Sequence, residues 1–267
     1  YDIAELTKAI NTIRKAIISF EDDNNVEQFE KELYTELTKF NNTNFPSPDF
    51  KRKVYEGKIK EGIFGDEKEE EFLKIYNALI AKYKVELKQK KDKTFLDKWY
   101  IKNVRNEIEF AFEQIKKVQD EKIKRVLAVI LSRTIRSCRA TTHSDLATLK
   151  EPQITTYYCW KHKKVCKPLF SIKYWFERYA NDTIARLREF ERIRSSAHWL
   201  TISADSRTVD IENEIKERSK NFYCLFKKQK IQGIFSSPPY VGQIDYHEQH
   251  AYAYDLFGFE RQDELEI

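Results

Sequence analysis

The sequence predicts an α/β protein: the C-terminal strands of a Rossmann-like parallel sheet, carried behind a large, mostly α-helical N-terminal region. Three observations point there. Apolar residues recur at three- and four-residue steps through the first half of the chain. A strand–helix–strand pattern occupies the last seventy or so residues. The chain has 267 residues, 41% of them hydrophobic, which is ample for a core and long enough for one large or two ordinary domains.

Residues 1–137 form the helical region. Ile3, Leu6, Ile10, Ile13 and Ile17 make one apolar stripe, and Asp2 with Glu5 opens it like a capping box with Asp in place of Ser or Thr. A second stripe runs Val26, Phe29, Leu33, Leu37, Phe40 and breaks at "NNTNFPSPDF". A third runs Phe72, Ile75, Leu79, Tyr83 and dissolves into the lysine-rich "KQKKDK". Further stripes cover Val104–Ile115 and Ile123–Ile135. The last is apolar nearly all round at its centre and predicts a buried helix.

Residues 138–195 form a basic connecting segment rich in Cys, His and aromatic side chains. Between Lys161 and Arg194 stand ten Lys/Arg against four Asp/Glu, and a helix is predicted over residues 173–194. Residues 196–267 change pattern again. "HWLTISADS" reads as a short strand ending at Asp205, "TVDIENEIKERS" as a polar helix, and "IQGIFSS" as a second strand. Two adjacent parallel strands, Trp199–Ala204 and Ile231–Ser236, are therefore expected, with a right-handed crossover. Ligands of such sheets bind at the carboxyl ends of strands, where Asp205 and the tetrapeptide Ser237-Pro238-Pro239-Tyr240 would sit.

That tetrapeptide is a stiff exit from a strand. Proline fixes φ near −65° and restricts the residue before it, so the turn is preorganised and its carbonyls stay free to point inward. A serine hydroxyl and the following carbonyl are two acceptors suited to an exocyclic amine. Tyr240 offers a face on which a flipped base could stack, worth roughly 1–3 kcal/mol.

At these residues the chain resembles the DNA amino-methyltransferases, which methylate cytosine N4 or adenine N6. Their signature is Asp, Asn or Ser followed by Pro-Pro-Tyr or Pro-Pro-Phe at a strand end. The longer run "SSPPYVGQIDYHEQHAYAYDLFG" is similar to a group of prokaryotic modification methylases. The likeness is strongest from Trp199 to Phe259 and weaker in "VILSRTIRSCRATTHSDLATLK" and "YYCWKHKKVCKP".

The resemblance implies an S-adenosyl-L-methionine-dependent methyltransferase sheet, double-stranded DNA as substrate and a restriction endonuclease in the same system. By position, Ser237 and the Pro238 carbonyl would hold the target amine, Pro239 would stiffen the turn and Tyr240 would stack on the base. Asp205 would contact the cofactor's adenine. The serine form favours cytosine N4, with adenine N6 as the alternative. The family's Gly-rich cofactor turn, Phe-x-Gly-x-Gly, has no counterpart here; "EGIFGDE", around Gly62 and Gly65, lies in helical sequence. The chain also lacks methionine and starts inside a helix signal. It therefore reads as a fragment, inactive alone, with the cofactor turn upstream and the target-recognition part downstream. From a different class, a helical nucleic-acid-binding module carrying a degenerate methylase remnant fits the same pattern.

Three other constellations stand out. Cys159-x2-His162-x3-Cys166 has metal-ligand spacing, and Cys138 or His143 could complete a structural zinc site; the plainer reading packs the cysteines as small hydrophobes. The basic-aromatic stretch from Tyr157 to Arg194 suits DNA phosphate or, more simply, a solvated helix face. His247 and His250 could act as a base, or their loop could shape a pocket or pack the next helix. The net charge of +5 is too mild to indicate nucleic acid by itself. No stretch approaches the roughly 20 apolar residues of a membrane span, and no signal peptide is visible. Four cysteines in so large a chain point to a reducing cytoplasm.

Overall fold

The apolar stripes of the first half become helices that bury those stripes against one another. The computed structural model describes residues 2–20, 24–90, 93–143, 149–229, 231–237 and 246–260. Helix α1 (Ile3–Ser19) starts at Asp2, whose carboxylate accepts from the Ala4 N–H at 2.6 Å, and it buries Leu6, Ile10, Ile13 and Ile17. Helix α2 (Asn24–Asn44) buries all five residues of the second stripe. After the short α3 (Asp49–Tyr55), α4 (Glu61–Tyr83) packs against α2 through Phe72, Tyr76 and Leu79. The brief α5 (Phe95–Trp99) leads to α6 (Lys102–Lys116) and α7 (Glu121–Ser137), which lie against each other and against α1.

Asp120 caps α7, accepting from the N–H groups of Lys122 and Ile123. Helix α7 is not buried all round: it buries Ile123, Leu127, Ile130, Leu131 and Ile135, but Val129 is 57% exposed. One stripe is enough to seat a helix on two neighbours, and the opposite face stays open to water.

Strands β1 (Tyr157–Cys159) and β2 (Lys164–Cys166) pair antiparallel, with Tyr158 opposite Val165. Helix α8 (Lys173–Ile193) follows as expected and buries Phe176, Ala180 and Ile184.

The chain forms two compact units, residues 1–187 with 242–267, and residues 188–241. Within the smaller unit lie α9 (Ile211–Arg218) and α10 (Lys220–Lys228). The polar helix expected over residues 208–219 forms as α9, and α10 is an addition to it: the extended backbone of Ser219 ends α9, and its hydroxyl accepts from Phe222 N–H to start α10. Helices α11 (Tyr246–Gln249) and α12 (Tyr252–Phe257) belong to the larger unit.

The two expected parallel strands are not formed among the described residues, whose only sheet is the β1–β2 hairpin. Residues 199–204 and 231–236 carry no ladder, and several of their apolar side chains face solvent: Trp199 is 83% exposed, Ile234 91% and Phe235 98%. The physical reason is that a strand is stabilised by its neighbours. A lone parallel pair buries too little to hold a ladder, and parallel pairing is the weaker kind per residue. The Rossmann-like sheet is thus not seen here. The observed architecture is a helical core with one small hairpin. No helix among the described residues is long and apolar enough to cross a membrane.

Candidate functional site

Two groups of residues singled out in the sequence have to be placed. The first is the proline turn. Ser237 is described and exposed; Pro238, Pro239 and Tyr240 lie outside the described residues. Asp205 opens a turn, its carbonyl accepting from Thr208 and Val209 N–H. Its carboxylate is held by Arg207 through both Nε and Nη2, and also accepts the Arg207 backbone N–H at 2.9 Å. These bonds, the side-chain one foremost, lower its pKa to about 2. Asp205 is therefore a firmly ionised carboxylate with a guanidinium already on it.

The segment after the turn is anchored in the helical unit. Tyr252 is buried and its hydroxyl lies 2.9 Å from Ser132 Oγ on α7. Arg139 donates to the Gln249 side chain at 2.9 Å, and Asp255 accepts from the Leu96 N–H at the start of α5. Phe257 meets Phe112 edge to face. His247 contacts the Tyr254 hydroxyl, and His250 lies beside Tyr252. His247 thus stands on α11 and His250 in the turn before α12, in a segment that packs on the helical unit.

The second group is the Cys/His cluster on the hairpin. Residues 160–163 form its tip, closed by Lys163 N–H donating to Cys159 C=O at 2.7 Å, with Lys163 in the left-handed region at φ 56°. Three side chains from the helices fasten it. Asn41 of α2 pairs with both the N–H and the C=O of Val165. Glu69 of α4 accepts the Tyr158 N–H at 2.7 Å, and Glu61 accepts from both the Tyr158 hydroxyl and Lys163 Nζ. Gly62 and Gly65 face Trp160 and Tyr158; a Cβ on Gly65 would meet the Tyr158 ring at 2.6 Å. These two glycines, unfit for a cofactor turn, admit the hairpin rings to α4.

At that hairpin the ligand atoms of Cys159, His162 and Cys166, and of His143 from the chain before it, all lie within 4.8 Å of one another. Cys159 Sγ is 3.5 Å from His143 Nδ1, and Cys166 Sγ is 3.4 Å from His162 Nδ1. Burial pushes both imidazole pKa values down and, with the neighbouring Cys159, pushes the Cys166 thiol up to about 12. Cys138 is not in the cluster. It follows α7 directly and is buried in the main apolar core. The structure thus chooses His143 over Cys138 as the fourth member. The Tyr157 hydroxyl, 2.7 Å from His143 Nδ1, was missed; nothing in the spacing separates it from an ordinary core tyrosine.

The basic-aromatic stretch divides in two. Tyr157, Tyr158, Phe170 and Phe176 are core. On the surface, Arg178 lies over Trp175 and Arg133 over Tyr179.

Across its entire length the chain aligns at 47% identity, over 271 positions, with the Type II methyltransferase M.MjaII of Methanocaldococcus jannaschii. The chain is similar to a methyltransferase. It spans about half, 51%, of that relative's length. No family model matches the chain, and no solved structure does. The described residues do not fit a cofactor pocket: the two helical glycines are filled by aromatic rings, and Asp205 is clasped by Arg207.

Proposed function

We propose that this chain is part of a DNA methyltransferase that transfers a methyl group from S-adenosyl-L-methionine to the exocyclic N4 of cytosine. The single observation carrying the reading is the whole-length likeness to a Type II methyltransferase, in a chain that holds Ser237-Pro238-Pro239-Tyr240. The nucleophile is the substrate's own nitrogen, so the chain needs to align an amine and no enzyme nucleophile is required. Ser237 Oγ and the Pro238 carbonyl would accept the amine hydrogens and draw its lone pair out of conjugation. Pro239 would hold the turn rigid, and Tyr240 would stack on the flipped base. Asp205 would reach an adenosyl group only by exchanging its bonds to Arg207. A restriction endonuclease acting in the same cytoplasm belongs to the same reading.

Serine at the first motif position favours cytosine N4; adenine N6 is the second reading. The decisive experiment expresses the gene encoding this chain in a host without DNA methylation and digests the DNA to nucleosides. N4-methylcytosine is expected, and Ser237→Ala should remove it while DNA affinity, set mainly by phosphate contacts, holds. N6-methyladenine alone would keep the chemistry and reverse the base. Binding of DNA with no methylated base would leave the helical nucleic-acid-binding module in its place.

A further inference from the structure

We propose that His143, Cys159, His162 and Cys166 form a closed, structural zinc site that clips the β1–β2 hairpin to the chain leading into it. Four protein ligands, two thiols and two imidazoles, match the closed tetrahedral sets that zinc takes in structural sites. Zinc with Zn–S near 2.3 Å and Zn–N near 2.0–2.1 Å sets adjacent sulfur and nitrogen about 3.6 Å apart in a tetrahedron. The two sulfur–nitrogen distances, 3.5 Å from Cys159 to His143 and 3.4 Å from Cys166 to His162, agree with that spacing. Binding would release two thiol protons to water and leave two thiolates, two neutral imidazoles and Zn²⁺, a neutral centre.

Packing alone accounts for part of this arrangement only. It explains why Cys159 and Cys166 are buried. It does not explain why two exposed imidazoles, His143 and His162, converge on those thiols with ring centroids 4.3 Å apart. The hairpin itself has reason to need a clip, since its strands are three residues each and a two-stranded hairpin is marginal in water. Three ligands lie on the hairpin, and His143 reaches it from before residue 149, so one ion would tie two separate stretches.

The test measures zinc by mass spectrometry in the full chain purified without chelator, then strips it and titrates with Co²⁺. Stoichiometric zinc is expected, with the visible bands of tetrahedral cobalt and a near-ultraviolet thiolate band on refilling. Cys159→Ser and His143→Ala should lose the thiolate spectrum or weaken it, and Cys138→Ser should keep it whole. Wild-type chain that holds no zinc and gives no tetrahedral cobalt spectrum would overturn the site. Loss of metal in Cys138→Ser with retention in His143→Ala would overturn this ligand set.

Discussion

At the scale of single residues, Glu107 carries a pH dependence. It is buried on α6, accepting from Ser171 Oγ at 2.9 Å and from Ile172 N–H at 2.7 Å. Burial outweighs both bonds and raises its pKa from 4.5 to about 7. The folded chain therefore keeps a proton that the unfolded chain releases between those two values. Stability falls as pH rises through that window and is lowest above it, by up to about 3 kcal/mol. Glu107→Gln should flatten this slope and raise the melting temperature at about pH 8 relative to wild type. Identical slopes in the two proteins would show that Glu107 is ionised throughout.

Gly65 tests a competition at the same scale. Alanine in a helix interior is favoured over glycine by about 1 kcal/mol. Here the added Cβ meets the Tyr158 ring at 2.6 Å, and that ring is held at its hydroxyl by Glu61. Overpacking costs about 1–3 kcal/mol, so Gly65→Ala should destabilise on balance. Tyr158→Leu in the same chain should recover part of the loss in a thermal-melt double-mutant cycle; strict additivity would mean the ring is not what Cβ meets.

At the scale of elements, the hairpin depends on α2. Replacing Asn41 by Ala leaves the N–H and C=O of Val165 without their side-chain partners, a cost of about 1–3 kcal/mol. Hydrogen exchange at the Val165 amide should quicken, with amides of α6 and α7 unchanged; a global rise would mean that Asn41 supports the whole core. Helices α1, α2, α6, α7 and α8 were legible in the sequence because a 3.6-residue apolar period needs only local spacing. Helix α10 was not, since nothing marked Ser219 as both an end and a beginning. The β1–β2 hairpin was hidden as well: its strands are three residues each, too short to show an alternation. Of the metal cluster, Cys159, His162 and Cys166 were legible as a spacing. The choice between Cys138 and His143 depends on how separate stretches fold back, which spacing does not encode.

At the scale of the whole molecule, the unit of residues 188–241 carries exposed apolar side chains, with Trp199, Ile234 and Phe235 mostly in water. Such a surface attracts other apolar surfaces. The full chain should bind a fluorescent hydrophobic dye and aggregate on warming, and Phe235→Asp should lessen both; unchanged dye binding would place the sticky surface elsewhere. The same exposure explains why a βαβ unit was legible as a pattern yet is not formed: an apolar run reports which segments suit a sheet, while a lone parallel pair lacks the further neighbours that would bury it.

The hairpin bears on where those neighbours could be. Tyr158 and Val165 face each other in its register, so one donates outward to Glu69 and the other is matched at both polar groups by Asn41. Side chains of α4 and α2 thus occupy both flanks of the sheet. It cannot act as a template on which further strands grow, and two copies cannot zip together along it. Any larger sheet must nucleate independently of the hairpin.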